Sequence, residues 1–505
     1  MRPLRIAHVA LARPAFKGDA PSAVRRSREG LAAAAERLGF ELVTPPGGAA
    51  RHPRGDVPLP PSTVTSAEEA HAVAAALRDD PPDLLLLQHV TFATGDLIAP
   101  LVGAAPRLAV WALPEGGVGT GPLPFNALCG LQMTVSMLGT PQLGHGDAPV
   151  KWLHGEVDED RFLTPFAATV AALRALRTVR EATVLRIGGT APGFYALEEL
   201  PAAFAGVRVV DRGLDDLFRT IENVPDGDAA QRATDSRVGH DVEVDDATVM
   251  RSARIELALE AMAREDGADA LAVRCWPELP DACDAMACAA MGSVAGRGTP
   301  TACEGDLMGA LSMLALQAVS DGPAVLMDLS DLDEEADALL LWHCGNAPAA
   351  WADPAGPRPR LTTHFNRDGV GPVRDQTLAP GPASAFRLLG GGRGALVASG
   401  TFRGAAGEGF DGVRGWWAKL AWAATPVPAR RFVAELLEQR VPHHLALAHG
   451  DHRVALAELC GWAGTEIRAM RDRPFPDALG GGAVPRAAGV APRPGAAPPP
   501  DEADR

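Results

Sequence analysis

From residue 4 the chain alternates short apolar runs with longer amphipathic stretches. LRIAHVAL reads as a strand, residues 25–37 as a helix and FELVTP as a second strand. The Ser66-Ala67-Glu68-Glu69 start signal predicts a helix over 67–78. There a serine, with a glutamate three residues on, can satisfy free backbone amides of the first turn. DLLLLQHV shows no polar alternation, as expected of a parallel strand covered on both faces. A helix around 96–103 and the strand RLAVWAL follow. This strand–helix alternation predicts a doubly wound α/β domain over residues 1–170.

The pattern restarts with the strands EATVLRIGG and VRVV, a helix over 250–265, the strand ADALAVRCW and a helix around 281–290. TACEGD then leads into the apolar helix LMGALSMLALQAV, followed by the strands PAVLMDLSDLD and LLLWHCGNAP. A second α/β domain is therefore expected over 171–351, with its polar residues of interest at the carboxyl ends of strands, where open α/β sheets bind ligands. Gly188-Gly189 follows a strand but lacks a full dinucleotide fingerprint, and reads as a turn. Beyond 352 short strand-like runs separated by Gly and Pro predict a mostly β domain over 352–480, with helices near 429–439 and 452–461. Residues 481–505 have almost no large apolar side chain and are expected to be a disordered tail. The expected class is α/β: two Rossmann-like doubly wound domains followed by a mostly β C-terminal domain.

Charge narrows the function. A formal charge of −16, from 47 basic and 63 acidic residues, argues against a phosphate-backbone binder, and no basic run is present. The sequence has no uninterrupted apolar stretch of membrane-spanning length, and its first residues read as a strand rather than a signal peptide. Seven scattered cysteines suggest reduced thiols and a cytoplasmic protein rather than a disulfide framework. Cys303 and Cys344 belong to no Cys-x-x-Cys pair and read as packing residues.

Three polar foci remain. Glu304 and Asp306 stand at the mouth of the apolar helix, where the helix dipole alone favours acids, and Asp306 fits that capping role. Asp328 ends the apolar run PAVLM, where a charge needs a partner. His343 ends another, LLLW. The segment 443–452 holds four of the thirteen histidines. As a strand, HHLALAH puts His443 and His444 on opposite faces; an edge strand with partly exposed histidines is the plain reading. Carboxylates plus imidazole form a donor set for a divalent ion such as manganese, iron, cobalt or magnesium, assembled from distant segments.

Several motifs in order carry a resemblance. RCWPEL at 274–279, TACEGDLMGALSM at 301–313, VLMDLSD at 325–331 and WHCGNAP at 342–348 are joined by TFATGD, VWALPE, NALCGLQ and HGEVDED upstream and by the PHH segment downstream. With these the chain resembles the L-fucose/L-arabinose isomerase family over most of residues 85–460, and Asp328 leans it toward the L-fucose branch. The resemblance implies an aldose–ketose isomerase working through an enediol on a deoxyhexose or pentose, with a divalent metal, Mn2+ above others. It implies Glu304, Asp328 and His444 as metal ligands, with His343 and His443 as alternative imidazoles, and Glu304 and Asp328 as the catalytic acid/base pair. It further suggests substrate contacts from Trp276, Arg274 and Asn346. Gln88, His89 and Trp111 would be presented to a neighbouring subunit in a homo-oligomer such as a hexamer. A metal-dependent lyase or epimerase, and a non-catalytic sugar-binding or regulatory protein, are the alternative functions.

Overall fold

The computed structural model describes residues 2–49, 58–117, 121–143, 148–204, 206–367, 369–404 and 410–471. The tail expected to be disordered, 481–505, lies outside them. Among the described residues the strands form three sheets. The first has six strands, all parallel, in the spatial order Phe40–Val43, Leu4–Leu11, Leu84–His89, Leu108–Ala112 and Val150–His154, with Thr63–Val64 pairing the end of Leu4–Leu11. The leucine run sits at the centre, and every residue of Leu84–His89 is buried. The second sheet has four parallel strands, Thr301–Ala302, Ala270–Val273, Thr183–Ile187 and Arg208–Arg212.

The third sheet is larger, eleven-stranded, mixed and mainly antiparallel. The expected order of two parallel α/β layers followed by a more β-rich layer is therefore observed. One assignment moves: Val325–Asp333 and Ala338–His343 hydrogen-bond into this third sheet, not the second. They form an antiparallel hairpin, and strand pairing of this kind is not written in local periodicity. Two expected helices also differ. The one near 96–103 is a single turn, Gly95–Ile98, and the one near 281–290 is broken into Glu278–Cys283 and Cys288–Gly296. Asp284 interrupts it in a left-handed backbone conformation (φ 47°).

Two helices tie the layers together. Asp160–Glu181 places Phe162, Phe166 and Val170 in the core of the first sheet and Ala175, Leu176 and Val179 in that of the second. By length and composition it could cross a membrane, but half of its apolar window is buried inside the protein. Leu307–Ser320 packs against Asp160–Glu181 and against strands of the second and third sheets. It is buried on nearly every face, which explains its lack of an amphipathic stripe. Its first turn is consequently fixed between two sheets.

That fixation is testable. Leu311→Ala removes a fully buried side chain from the middle of this helix and should cost about 2–5 kcal/mol. The expected readout is a lower urea midpoint and a lower Tm. A wild-type midpoint would mean that this core does not hold the helix.

Candidate metal centre

The turn that enters the helix is built for close approach. Glu304 has φ 59° and Gly305 φ 73°, left-handed conformations that a non-glycine residue such as Glu304 adopts only when its surroundings impose them. Here they do. The Gly305 amide donates to the Val273 carbonyl at 3.0 Å, and the Glu304 carbonyl accepts the Ala191 amide at 2.9 Å. A Cβ on Gly305 would stand 2.1 Å from the Gly189 carbonyl oxygen, so only glycine fits. The paired glycines after the strand Thr183–Ile187 thus serve backbone packing. The outcome is a Glu304 carboxylate projected from the end of the second sheet.

Strand register supplies the other two groups. Asp328 on Val325–Asp333 lies directly opposite His444 on His444–His449 in an antiparallel ladder. Residues directly opposite present their side chains on the same face. His444 Nε2 stands 3.6 Å from Glu304 Oε2 and 3.7 Å from Asp328 Oδ1. The histidine strand is not an edge: Val325–Asp333 flanks it on one side and Gly381–Leu389 on the other.

Asp306 fixes the imidazole. Its Oδ1 caps the helix by accepting the Gly309 amide at 2.8 Å, and its Oδ2 accepts His444 Nδ1–H at 2.9 Å. A carboxylate only accepts, so the His444 proton resides on Nδ1 and the Nε2 lone pair faces Glu304 and Asp328. Arg387 grips the same carboxylate with both terminal nitrogens, at 2.5 and 3.0 Å, and neither residue has meaningful solvent exposure. Burial alone would raise the Asp306 carboxyl. The Arg387 guanidinium and His444 more than offset it and hold the group well below the usual carboxylate range. On the solvent side His443 Nε2 meets Glu304 Oε2 at 3.1 Å, and this hydrogen bond carries the His443 imidazole above its ordinary value.

The residues present fit a divalent cation. Asp328 Oδ1 is buried and has no hydrogen-bond partner, a costly condition for a carboxylate oxygen. Arg387 is committed to Asp306, which leaves the charges of Glu304 and Asp328 converging on one neutral lone pair. Donor atoms of Glu304, His443 and His444 all lie within 4.8 Å of one another. A second set, Cys303, His343 and His444, overlaps it. Cys303 Sγ is 3.1 Å from His343 Nε2 and 3.5 Å from His444 Nε2. A hydrogen bond with Cys275, together with burial, pushes the Cys303 thiol well above its usual range, as suits a neutral neighbour more than a thiolate ligand.

No protein-family model matches the chain. Curated relatives do. It is 30% identical over 387 residues to a sulfoquinovose isomerase of Alkalicoccus urumqiensis, an overlap covering 75% of this chain and 84% of that protein. Sulfoquinovose isomerases of Priestia aryabhattai and of Clostridium sp. (strain MSTE9) are 28% and 25% identical, over 65% and 61% of this chain and 73% and 69% of theirs. The chain belongs to the sulfoquinovose isomerase family.

Membership in this family of metal-dependent sugar isomerases, with the donor clusters above, supports aldose–ketose isomerisation through an enediol. The narrower expectation of the L-fucose branch gives way to this assignment. The structure brings together Glu304, Asp328, His443 and His444, with His343 behind them on the sulfur side. Other expected contacts lie elsewhere or are already engaged. Arg274 is not an unpaired guanidinium, because it forms an ion pair with Glu278, Nε to Oε2 at 3.0 Å. The Asn346 amide, buried, donates to the Thr301 carbonyl at 3.2 Å and ties its turn to the second sheet. Trp276 lies beneath the Arg367 guanidinium, 4.4 Å from its ring centroid.

Gln88, His89 and Trp111 are fully buried in the first sheet. They bond to Ser27 and His8, to Thr134 and to the Gly155 carbonyl respectively. Sequence reasoning missed Arg387, and saw in Asp306 only the helix cap. Nothing local to Arg387, on a strand of apolar neighbours, marks it.

The role of Asp306 yields an expectation. Asp306→Asn leaves Arg387 buried without its anion and should cost about 3–5 kcal/mol. It should also weaken Mn2+ binding about 10–100-fold, measured by calorimetry on the folded variant. Wild-type metal affinity would mean that His444 needs no carboxylate to orient it.

Proposed function

We propose that this chain converts sulfoquinovose, a 6-deoxyglucose bearing a sulfonate at C6, into the corresponding 2-ketose. The observation that carries this reading is the convergence of Glu304 Oε2 and Asp328 Oδ1 on the free lone pair of His444. The sugar itself comes from the names of the relatives. It is compatible with the deoxyhexose expected from the sequence, with an acid group added.

The proposed ligands are Glu304, Asp328 and His444, and an oxygen–nitrogen set of this kind suits Mn2+. When bound, a divalent cation supplies polarisation of the sugar oxygens at C1 and C2. Glu304 and Asp328 are the proposed acid/base pair: one removes the C2 proton and a proton is returned at C1, so composition is unchanged and no redox cofactor is required. Both are half-buried and open enough to meet substrate. His443, bonded to Glu304, steadies that carboxylate at the mouth. His444 is held by Asp306 and takes no part in proton transfer. Trp276, with Arg367 over its ring and that guanidinium paired with Asp281 at 2.7 Å, is the proposed sugar-facing aromatic.

The test is Mn2+-loaded protein in heavy water with sulfoquinovose, glucose, L-fucose and L-arabinose, reading ketose formation and deuterium at C1 or C2. Conversion of sulfoquinovose well above the neutral sugars is expected. Binding without product on any sugar would favour a non-catalytic protein, and cleavage or a stereochemical change alone would point to a lyase or epimerase. Glu304→Gln should lower turnover about 10²–10⁴-fold with the fold retained, and near-normal turnover would remove Glu304 from the chemistry.

A further inference from the structure

A third donor set, with soft chemistry, lies behind the carboxylate centre. Cys288 opens the helix Cys288–Gly296, Cys344 follows the strand Ala338–His343, and His364 stands just beyond the strand Arg360–Thr362. The sulfurs of Cys288 and Cys344 are 3.5 Å apart, and one donor atom from each of the three residues lies within 4.8 Å of the other two. Met286, Val370 and Val373 surround the sulfurs with apolar atoms. Cys288 and His364 are buried, while Cys344 is half-buried and leaves a way in from solvent. The His364 ring accepts the Asn366 amide on Nδ1 at 3.4 Å, a long bond that ligation through either nitrogen would displace at little cost.

We infer that Cys288, Cys344 and His364 form a second cation site, thiophilic and distinct from the oxygen-rich centre, that takes Zn2+ or a comparable soft divalent ion. Two thiolates and an imidazole are a zinc donor set, and three protein ligands leave a fourth tetrahedral position to solvent. Binding releases the two thiol protons to solvent and forms two metal–sulfur bonds and one metal–nitrogen bond, with no change of oxidation state. The ion would not sit in isolation. Cys344 Sγ is 3.5 Å from His343 Nδ1, whose other nitrogen meets Cys303 beside His444. Occupation would therefore act on the orientation of His343.

The site is tested on the full chain, reduced with a phosphine and with its carboxylate centre saturated with Mn2+, by titration with Co2+. A thiolate-to-cobalt charge-transfer absorption in the near ultraviolet is expected. It should disappear in Cys288→Ser and weaken in His364→Ala, and persist in Cys303→Ser. No absorption in the wild type, or absorption that survives Cys288→Ser, would overturn the assignment. Its loss in Cys303→Ser alone would move the soft ion to the Cys303–His343–His444 set, and overturn it equally. If the variants fail to fold, the wild type still decides. Zn2+ should abolish alkylation of Cys344 while exposed Cys129 is labelled unchanged, and equal labelling of Cys344 with and without Zn2+ would refute the site.

Discussion

The buried ion pair between Arg387 and Asp306 is the constraint on which the centre depends. Two charges without solvent contact are expensive to bury, and they persist only when geometry and further hydrogen bonds compensate. Asp306 gathers that compensation from three directions. It caps the helix Leu307–Ser320, pairs with the strand Gly381–Leu389 through Arg387, and holds His444 on the next strand. A single carboxylate thus fixes the relation of helix, strand and imidazole. The Asp306 carboxyl is held well below the usual carboxylate range, and as an anion it accepts the His444 Nδ1 proton.

The same pair divides the acids of the region into two kinds. Asp306 is neutralised and inaccessible, whereas Glu304 and Asp328 have no permanent cation of their own. The sequence alone presents Glu304 and Asp306 as near equivalents at a helix mouth. Their difference arises from the backbone: the left-handed turn at Glu304 and Gly305 directs one carboxylate out from the sheet, and the following residue turns the other inward onto Arg387.

Much of the architecture was legible because it is local. The buried strand Leu84–His89 and the Ser66–Glu69 capping box each follow from a few adjacent residues, and each is found. The failures are non-local. Nothing near Asp328 says that its strand pairs with His444 rather than with the parallel layer before it, and that pairing is what brings the two side chains face to face. Asp306 was half legible. Its Oδ1 does what a helix-capping acid does, but the partners of its Oδ2 are separated from it by 81 and 138 residues. Cys344 was read as packing because it lacks a sequence neighbour, while its sulfur partner comes from another element, 56 residues away.

Glu304 comes from the end of the second sheet, and Asp328 and His444 from the third. A cation held by all three would bridge layers that are otherwise joined here by the helix Leu307–Ser320 and its Asp306 cap. Ion affinity and the packing of the two sheets are then one linked quantity, since a site present only in the folded chain adds its binding free energy to that fold. His444 is already oriented by Asp306, and the buried Asp328 Oδ1 has no hydrogen-bond partner. The cost of that preorganisation is carried by Arg387 and Asp306, away from solvent, while Glu304 and Asp328 stay half-buried.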